Sequence, residues 1–189
     1  MHIAGTDDSK KDIDVDSLVD RAVRGDTEAF GRLYDMYADN VYRHIYYRTT
    51  SVEDARDLTQ DVFAKAWENL PRYRRTATPF LGWLFTISHN RVIDYYRTKK
   101  THKYIDSDLA PGSGGSPEES AEASLTQDRI RQAILQLSGD QQHAALLCLV
   151  EGLDHKEVAA VMGKSEGNVR VIVHRALKRM REILGSQEV

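Results

Sequence analysis

Two arginine-bearing stretches and one run of carboxylates hold the residue types with chemical potential in this chain of 189 residues. The first stretch, Arg72-Tyr-Arg-Arg-Thr-Ala-Thr-Pro, sets an aromatic ring among guanidinium groups. Arginine neutralises phosphate and tyrosine stacks on an unpaired base, so the composition suits a single nucleic-acid strand; a plain solvated loop has the same composition. The second stretch covers residues 155–175. With His155 as position one, small Ala159 falls at five, Gly163 at nine and Val169 at fifteen, and apolar Val158, Met162 and Ile172 fall at four, eight and eighteen. A helix-turn-helix needs a small residue where its helices cross, glycine in the turn and apolar residues facing a shared core. Its second helix, from about Glu166, carries Arg170, His174, Arg175, Lys178, Arg179 and Arg181, with no acid between Gly167 and Arg181. Such a helix suits the DNA major groove, although a structural hairpin fits the spacing too. The carboxylates Asp54, Asp57 and Asp61 share one side of a helical pattern with Gln60, as a solvated face or as a docking surface for a basic partner.

Other chemistries find no pattern. His44, His89, His102, His143, His155 and His174 are scattered without the spacing of metal ligands, and each reads as structural or solvent-facing. The single cysteine, Cys148, sits in an apolar run as a small core residue and excludes an internal disulfide framework or a multi-cysteine zinc site. The one glycine cluster, Gly112-Ser-Gly-Gly, follows no strand and is no phosphate-binding loop. No catalytic residue, metal or cofactor is expected. The longest apolar run, residues 144–150, is far short of the roughly 20 residues that span a bilayer. The opening residues are too polar and acidic for a secretory signal, so a cytoplasmic chain without direct membrane insertion is expected.

The elements that must position these residues are helices. Period-two alternation is missing, so an all-α fold is expected, with two small helical domains joined by a flexible linker. Residues 1–16 read as a disordered acidic tail. Residues 17–100 hold four helices: one over 17–24, one capped by Asp26 and running to about 49, one starting at Ser51 and stopped by Pro71, and one opened by Thr78 and Pro79. The fourth turns Phe80, Leu81, Leu84 and Ile87 inward. Residues 101–124, rich in Pro, Gly, Ser and Glu, cannot bury enough apolar surface to offset ordering. Residues 125–185 form the second domain, with capping pairs Ser124/Gln127 and Ser138/Gln141 starting helices near Leu125 and Gly139. The net charge of −3 conceals a partition, because tail and linker hold −3 and −4 while the helical blocks hold +3 and +1.

Two helical blocks, a linker and a C-terminal helix-turn-helix resemble the sigma-70 family of transcription initiation factors, and the size resembles its extracytoplasmic-function (ECF, group four) class. The matching text in the first block is Asp57-Leu-Thr-Gln-Asp-Val-Phe-Ala-Lys-Ala-Trp and Phe80-Leu-Gly-Trp-Leu-Phe-Thr-Ile-Ser-His-Asn-Arg. In the second it is Glu151-Gly-Leu-Asp-His-Lys-Glu-Val-Ala and Gly167-Asn-Val-Arg-Val-Ile-Val-His-Arg-Ala. The resemblance implies core RNA polymerase as partner, through its beta-prime clamp helices and beta flap, together with promoter DNA and an anti-sigma factor. It makes Asp54, Asp57, Gln60 and Asp61 candidates for polymerase binding, with Phe63 and Trp67 as core. For recognising and opening a minus-10 element it implies Arg72, Tyr73, Arg74, Arg75, Asn90, Arg91 and Arg97, with Trp83 read as core rather than as a melting wedge. For a minus-35 element it implies Lys164, Ser165, Asn168, Arg170, Val171, His174, Arg175 and Lys178. Val171-Ile172 stands where the commonest family text has serine-arginine, so the promoter sequence is not transferable. A different class, a stand-alone helix-turn-helix regulator, would leave residues 17–100 without a role.

Overall fold

The computed structural model describes residues 14–74, 78–103 and 121–185. The tail up to residue 13, the stretch 104–120 and Arg75 lie outside the described residues. Within them the secondary structure is helical: α1 (Val15–Val23), α2 (Thr27–Tyr46), α3 (Val52–Asn69), α4 (Phe80–Lys103), α5 (Ala121–Leu135), α6 (Gly139–Leu149), α7 (His155–Met162) and α8 (Glu166–Gly185), with a 3-10 turn at Leu70–Arg72. Among the described residues there is no strand, and no helix is long and apolar enough to cross a membrane.

Capping chemistry explains most boundaries. Asp14, Asp26, Ser51 and Asp154 each accept a backbone N–H from the first turn of α1, α2, α3 and α7, meeting a donor the helix leaves unpaired. Asp14 moves the start of α1 to Val15, so residues 15 and 16 belong to the helix rather than to the acidic tail. The linker is also shorter than its composition suggests. α4 continues to Lys103 and α5 begins at Ala121, ahead of the capping pair at Ser124, since Ala121, Glu122 and Ala123 are good helix formers.

The first core collects Leu18 and Val19 of α1, Leu33, Val41 and Ile45 of α2, Val62 and Phe63 of α3, and Leu84 of α4. Trp67 departs from the expected core position. It remains 36% exposed, with its ring 4.9 Å from that of Phe30. The second half encloses Ala144, Leu147, Val158, Val169 and Val173, and beside them Ile134, Ala145, Leu146, Ala176 and Met180.

The two halves pack directly on one another through α2 and α4. Phe85 of α4 is fully buried in the second core, whereas Phe80, Leu84 and Val92 of the same helix belong to the first. Gly82 permits close approach of α7, as a Cβ there would lie 2.9 Å from Val161 Cγ2. One turn on, Thr86 Oγ1 donates to Val161 O at 3.2 Å. From α2, Asn40 Nδ2 and Arg43 Nη2 donate to Glu151 at 2.7 and 3.1 Å, and the Glu151 side chain is only 1% exposed. Arg131 of α5 donates to Tyr46 O and Thr49 O at 3.0 and 2.7 Å and lies 3.8 Å over the Tyr46 ring. These carbonyls stand at the C-terminal end of α2, where the helix leaves acceptors unpaired and its dipole favours a cation.

Removing Arg43 leaves the enclosed Glu151 carboxylate with one of its two partners. Arg43→Ala is expected to lower unfolding free energy by about 1–3 kcal/mol, read by urea denaturation. An unchanged midpoint would show that the Arg43–Glu151 pair contributes nothing to joining the halves.

Candidate nucleic-acid interface

α7 and α8 form the helix-turn-helix. Asp154 and Glu157 make a capping box at its start. Gly163 then takes a left-handed conformation (φ 62°), and Ala159 O accepts Lys164 N–H at 3.0 Å. Ala159, Val158 and Val169 are buried where the helices meet. α8 turns Val169, Val173, Ala176 and Met180 inward, which leaves Asn168, Arg170, Val171, His174, Arg175 and Lys178 exposed. Val171 is 46% exposed, an apolar residue on an otherwise cationic face. Two candidates carry structural duties. Ser165 Oγ accepts Asn168 N–H as the cap of α8, and half-buried Lys164 is ion-paired to Asp140 at 3.2 Å. Arg170 is steadied by Glu166 one turn back, at 2.6 Å.

The loop after α3 borders a cleft of about 420 Å³ lined by Asn69, Arg72, Tyr73, Arg74, Trp83 and Thr86, with Ala160 of α7 on its far side. Tyr73 and Trp83 face each other, ring centroids 4.8 Å apart, over Phe80. Half-buried Trp83 is thus both the edge of the first core and the wall of an open cleft. Arg74 Nη1 donates to Pro71 O and Tyr73 O, holding the loop's turn. Asn69 and Thr86 escaped the sequence reading. Thr86 follows Trp83 by three residues and so shares its face of α4, the signal that could have found it.

The other minus-10 candidates lie along α4. Asn90 is exposed. Arg97 is largely exposed and paired with Asp94 at 2.9 Å. Arg91 turns to α3 and pairs with Asp61. Asp54 likewise turns inward, accepting from Tyr95 Oη and lying 3.4 Å from Lys99 Nζ. Burial, then the Asp54 hydrogen bond, raises the Tyr95 hydroxyl above the usual phenol range. These residues border a groove between α3 and α4, so of the four acidic-face candidates only Asp57 and Gln60 are exposed with no partner found within the described residues. Charges scattered along two helices serve first to pair those helices.

The histidines are not all scattered. His44 (α2), His89 (α4) and His143 (α6) converge where the halves meet: His44 Nε2 and His143 Nδ1 share a hydrogen bond of 3.1 Å, and the His89 and His143 rings lie 4.2 Å apart. Burial first, then neighbouring positive charge, holds His44 and His143 well below the usual imidazole range and His89 down to about 4. Among the described residues no group is placed to hold a metal ion. Only tertiary packing joins positions so far apart in the chain.

Comparison with known proteins matches residues 33–102 to Sigma-70 region 2 and residues 127–180 to Sigma-70, region 4. The ECF RNA polymerase sigma factor BldN of Streptomyces coelicolor is 35% identical over 173 residues, covering 88% of this chain and 64% of BldN. The chain thus spans a little under two thirds of that relative's length. The ECF RNA polymerase sigma factor SigD of Mycobacterium tuberculosis is 30% identical over 175 residues, covering 89% of this chain and 82% of SigD. Among solved structures, CnrH in complex with the cytosolic domain of CnrY is similar with a TM-score of 0.71 and 25% identity, over 92% of this chain and 99% of that one.

Two glycines test the helix-turn-helix backbone. A Cβ at either Gly163 or Gly167 would meet open space, so only conformation distinguishes them. Gly163→Ala, in the left-handed region, is expected to cost about 1–2 kcal/mol. Gly167→Ala, in helix, is expected to gain about 0.5–1 kcal/mol. Thermal denaturation of both variants checks the opposite signs.

Proposed function

The chain belongs to the sigma-70 family, in its extracytoplasmic-function group, and from that premise we propose that it binds core RNA polymerase and directs it to promoters by reading a minus-10 and a minus-35 element. The observation that carries the reading is the presence on one chain of two unlike surfaces, each suited in its residue types to a different form of nucleic acid. One is a cationic helix suited to duplex DNA; the other is an aromatic cleft with an arginine rim, suited to an unpaired base.

In this reading Arg170, His174 and Arg175 face base edges of the minus-35 element, and Lys178 meets phosphate. Val171 packs on the methyl group of a thymine, the one apolar feature that a major-groove edge offers. Tyr73 and Trp83 stack on a base flipped from the minus-10 element, while Arg72 and Arg74 neutralise its phosphates. The contacts offset an unstacking cost of roughly a few kcal/mol. Arg75 belongs with that set by sequence alone. Asp57 and Gln60 on the open face of α3 meet the clamp helices of the beta-prime subunit; Asp54 and Asp61, already paired to α4, shape that surface from behind. The helix-turn-helix half meets the beta flap. We also carry over a protein that holds the chain inactive, as CnrH was solved in complex with the cytosolic domain of CnrY.

Transcription of fragmented genomic DNA by core polymerase, with and without the chain, tests the reading. New RNA 5′ ends sharing a two-part upstream sequence are expected, and failure to bind core would overturn it. On a promoter so identified, Arg170→Ala or Arg175→Ala is expected to cost about 1–3 kcal/mol of binding where the arginine reads a guanine. Replacing the contacted thymine by uracil should weaken binding about three- to fivefold for the native chain and leave Val171→Ala indifferent.

A further inference from the structure

The histidine cluster occupies the join between the halves, and its surroundings make it more than core filling. Arg48, at the end of α2, is 1% exposed, and its Nε and Nη1 have no hydrogen-bond partner among the described residues. Burial pulls it down to about 10, so it stays charged at neutral pH. This buried cation, one turn after His44 in the chain, is near enough to His44, His89 and His143 to disfavour a positive charge on each. The other charges in reach are Asp140 at the start of α6 and Lys164 in the α7–α8 turn, and these are paired with each other at 3.2 Å. Further along the same interface Glu151 is held by Arg43. The two carboxylates named at this join, Asp140 and Glu151, are thus each already paired with a cation.

The hydrogen bonding sets the same constraint. The His44–His143 bond needs one protonated and one bare nitrogen, which two neutral rings supply. His44 Nδ1 and His89 Nδ1 are buried with no partner among the described residues. A second proton on either ring would create a charged donor with a buried, acceptor-free N–H, beside Arg48.

We propose that the packing of α6 and α7 on α2 and α4 is a proton-sensitive latch: closed while His44, His89 and His143 are neutral, and opened by protonation, which separates the two helical halves. The same packing sets Ala160 and Val161 of α7 against Gly82 and Thr86 of α4, at the border of the aromatic cleft. Opening therefore withdraws Ala160 from the border of that cleft and widens it. This consequence alone rests on the function proposed above; the opening itself requires neither polymerase nor DNA.

The sign follows from linkage. Above the ordinary imidazole pKa of about 6.5 both forms hold neutral rings, and the closed form keeps its full stability. Below it the open form takes up protons that the closed form refuses, so closure weakens as pH falls. At about pH 5.5 each excluded proton lowers the closed-to-open ratio about tenfold.

Small-angle scattering on the full chain between about pH 7.5 and 5.5 reads the opening, with circular dichroism to establish that helicity is retained. The radius of gyration is expected to rise for the native chain, and to rise less and only at lower pH for the double variant His44→Gln/His143→Gln, which keeps His89 as the one excluded site. Arg48→Gln, which removes the opposing cation, is expected to move the transition to lower pH. A native chain that stays closed, or a double variant that opens in the same way, overturns the proposal. If the double variant is open or unfolded at neutral pH, the imidazole NMR titration of the native chain decides. Histidine signals that change together with the interface amides support the latch. Rings that titrate singly near pH 6.5 with the interface intact overturn it.

Discussion

α4 has to lie in two cores at once, and the rest of the arrangement follows from that demand. Its first turns carry Phe80, Leu81, Trp83, Leu84 and Phe85, apolar residues on more faces than one partner can cover. Phe80 and Leu84 fill the first core, Phe85 the second, and Leu81 touches both. A helix so placed cannot lose contact with either half without exposing large apolar side chains to water. Gly82 and Thr86 lie on the surface left between these residues, where they admit the end of α7.

The polar contacts at the join follow from that apolar contact. Once Phe85 brings the second half onto α2 and α4, the groups enclosed must be satisfied within the protein. Glu151 finds Asn40 and Arg43, and Arg131 serves the open carbonyls at the end of α2. Arg48, His44 and His89 are met less completely. They therefore give the join a dependence on conditions that apolar packing alone would lack. The surfaces suited to nucleic acid stay outside this enclosed set: α8 turns its cationic side to solvent, and the Tyr73–Trp83 cleft opens beside the join without being filled by it.

Much of this was legible in the chain itself. Helix type, most starts and the division into two halves follow from periodicity and from capping residues, since both act within a few positions: Asp26, Ser51 and Pro71 stand where α2 and α3 begin and end. The helix-turn-helix is equally local, resting on Ala159, Gly163 and Val169 at set intervals. Exposed cationic positions on α8 could be listed from the spacing of its inward residues. Where local rules misplaced something, as with the start of α5 or the exposure of Trp67, the competing terms were helix propensity and the size of a ring at the edge of a core.

What the sequence by itself determined is whatever depends on neighbours in the chain: helices, caps, turns, and the residue types that can meet phosphate or a base. Tertiary structure alone decided which charges remain available. Asp54 and Asp61 look like part of an acidic docking face until α4 brings Tyr95, Lys99 and Arg91 against them. It alone decided that His44, His89 and His143 form a cluster rather than three isolated residues. The physical reason is the same in both cases. Electrostatic and hydrogen-bond partners are set by distance in space, and no spacing along the chain records which helix will lie across from which.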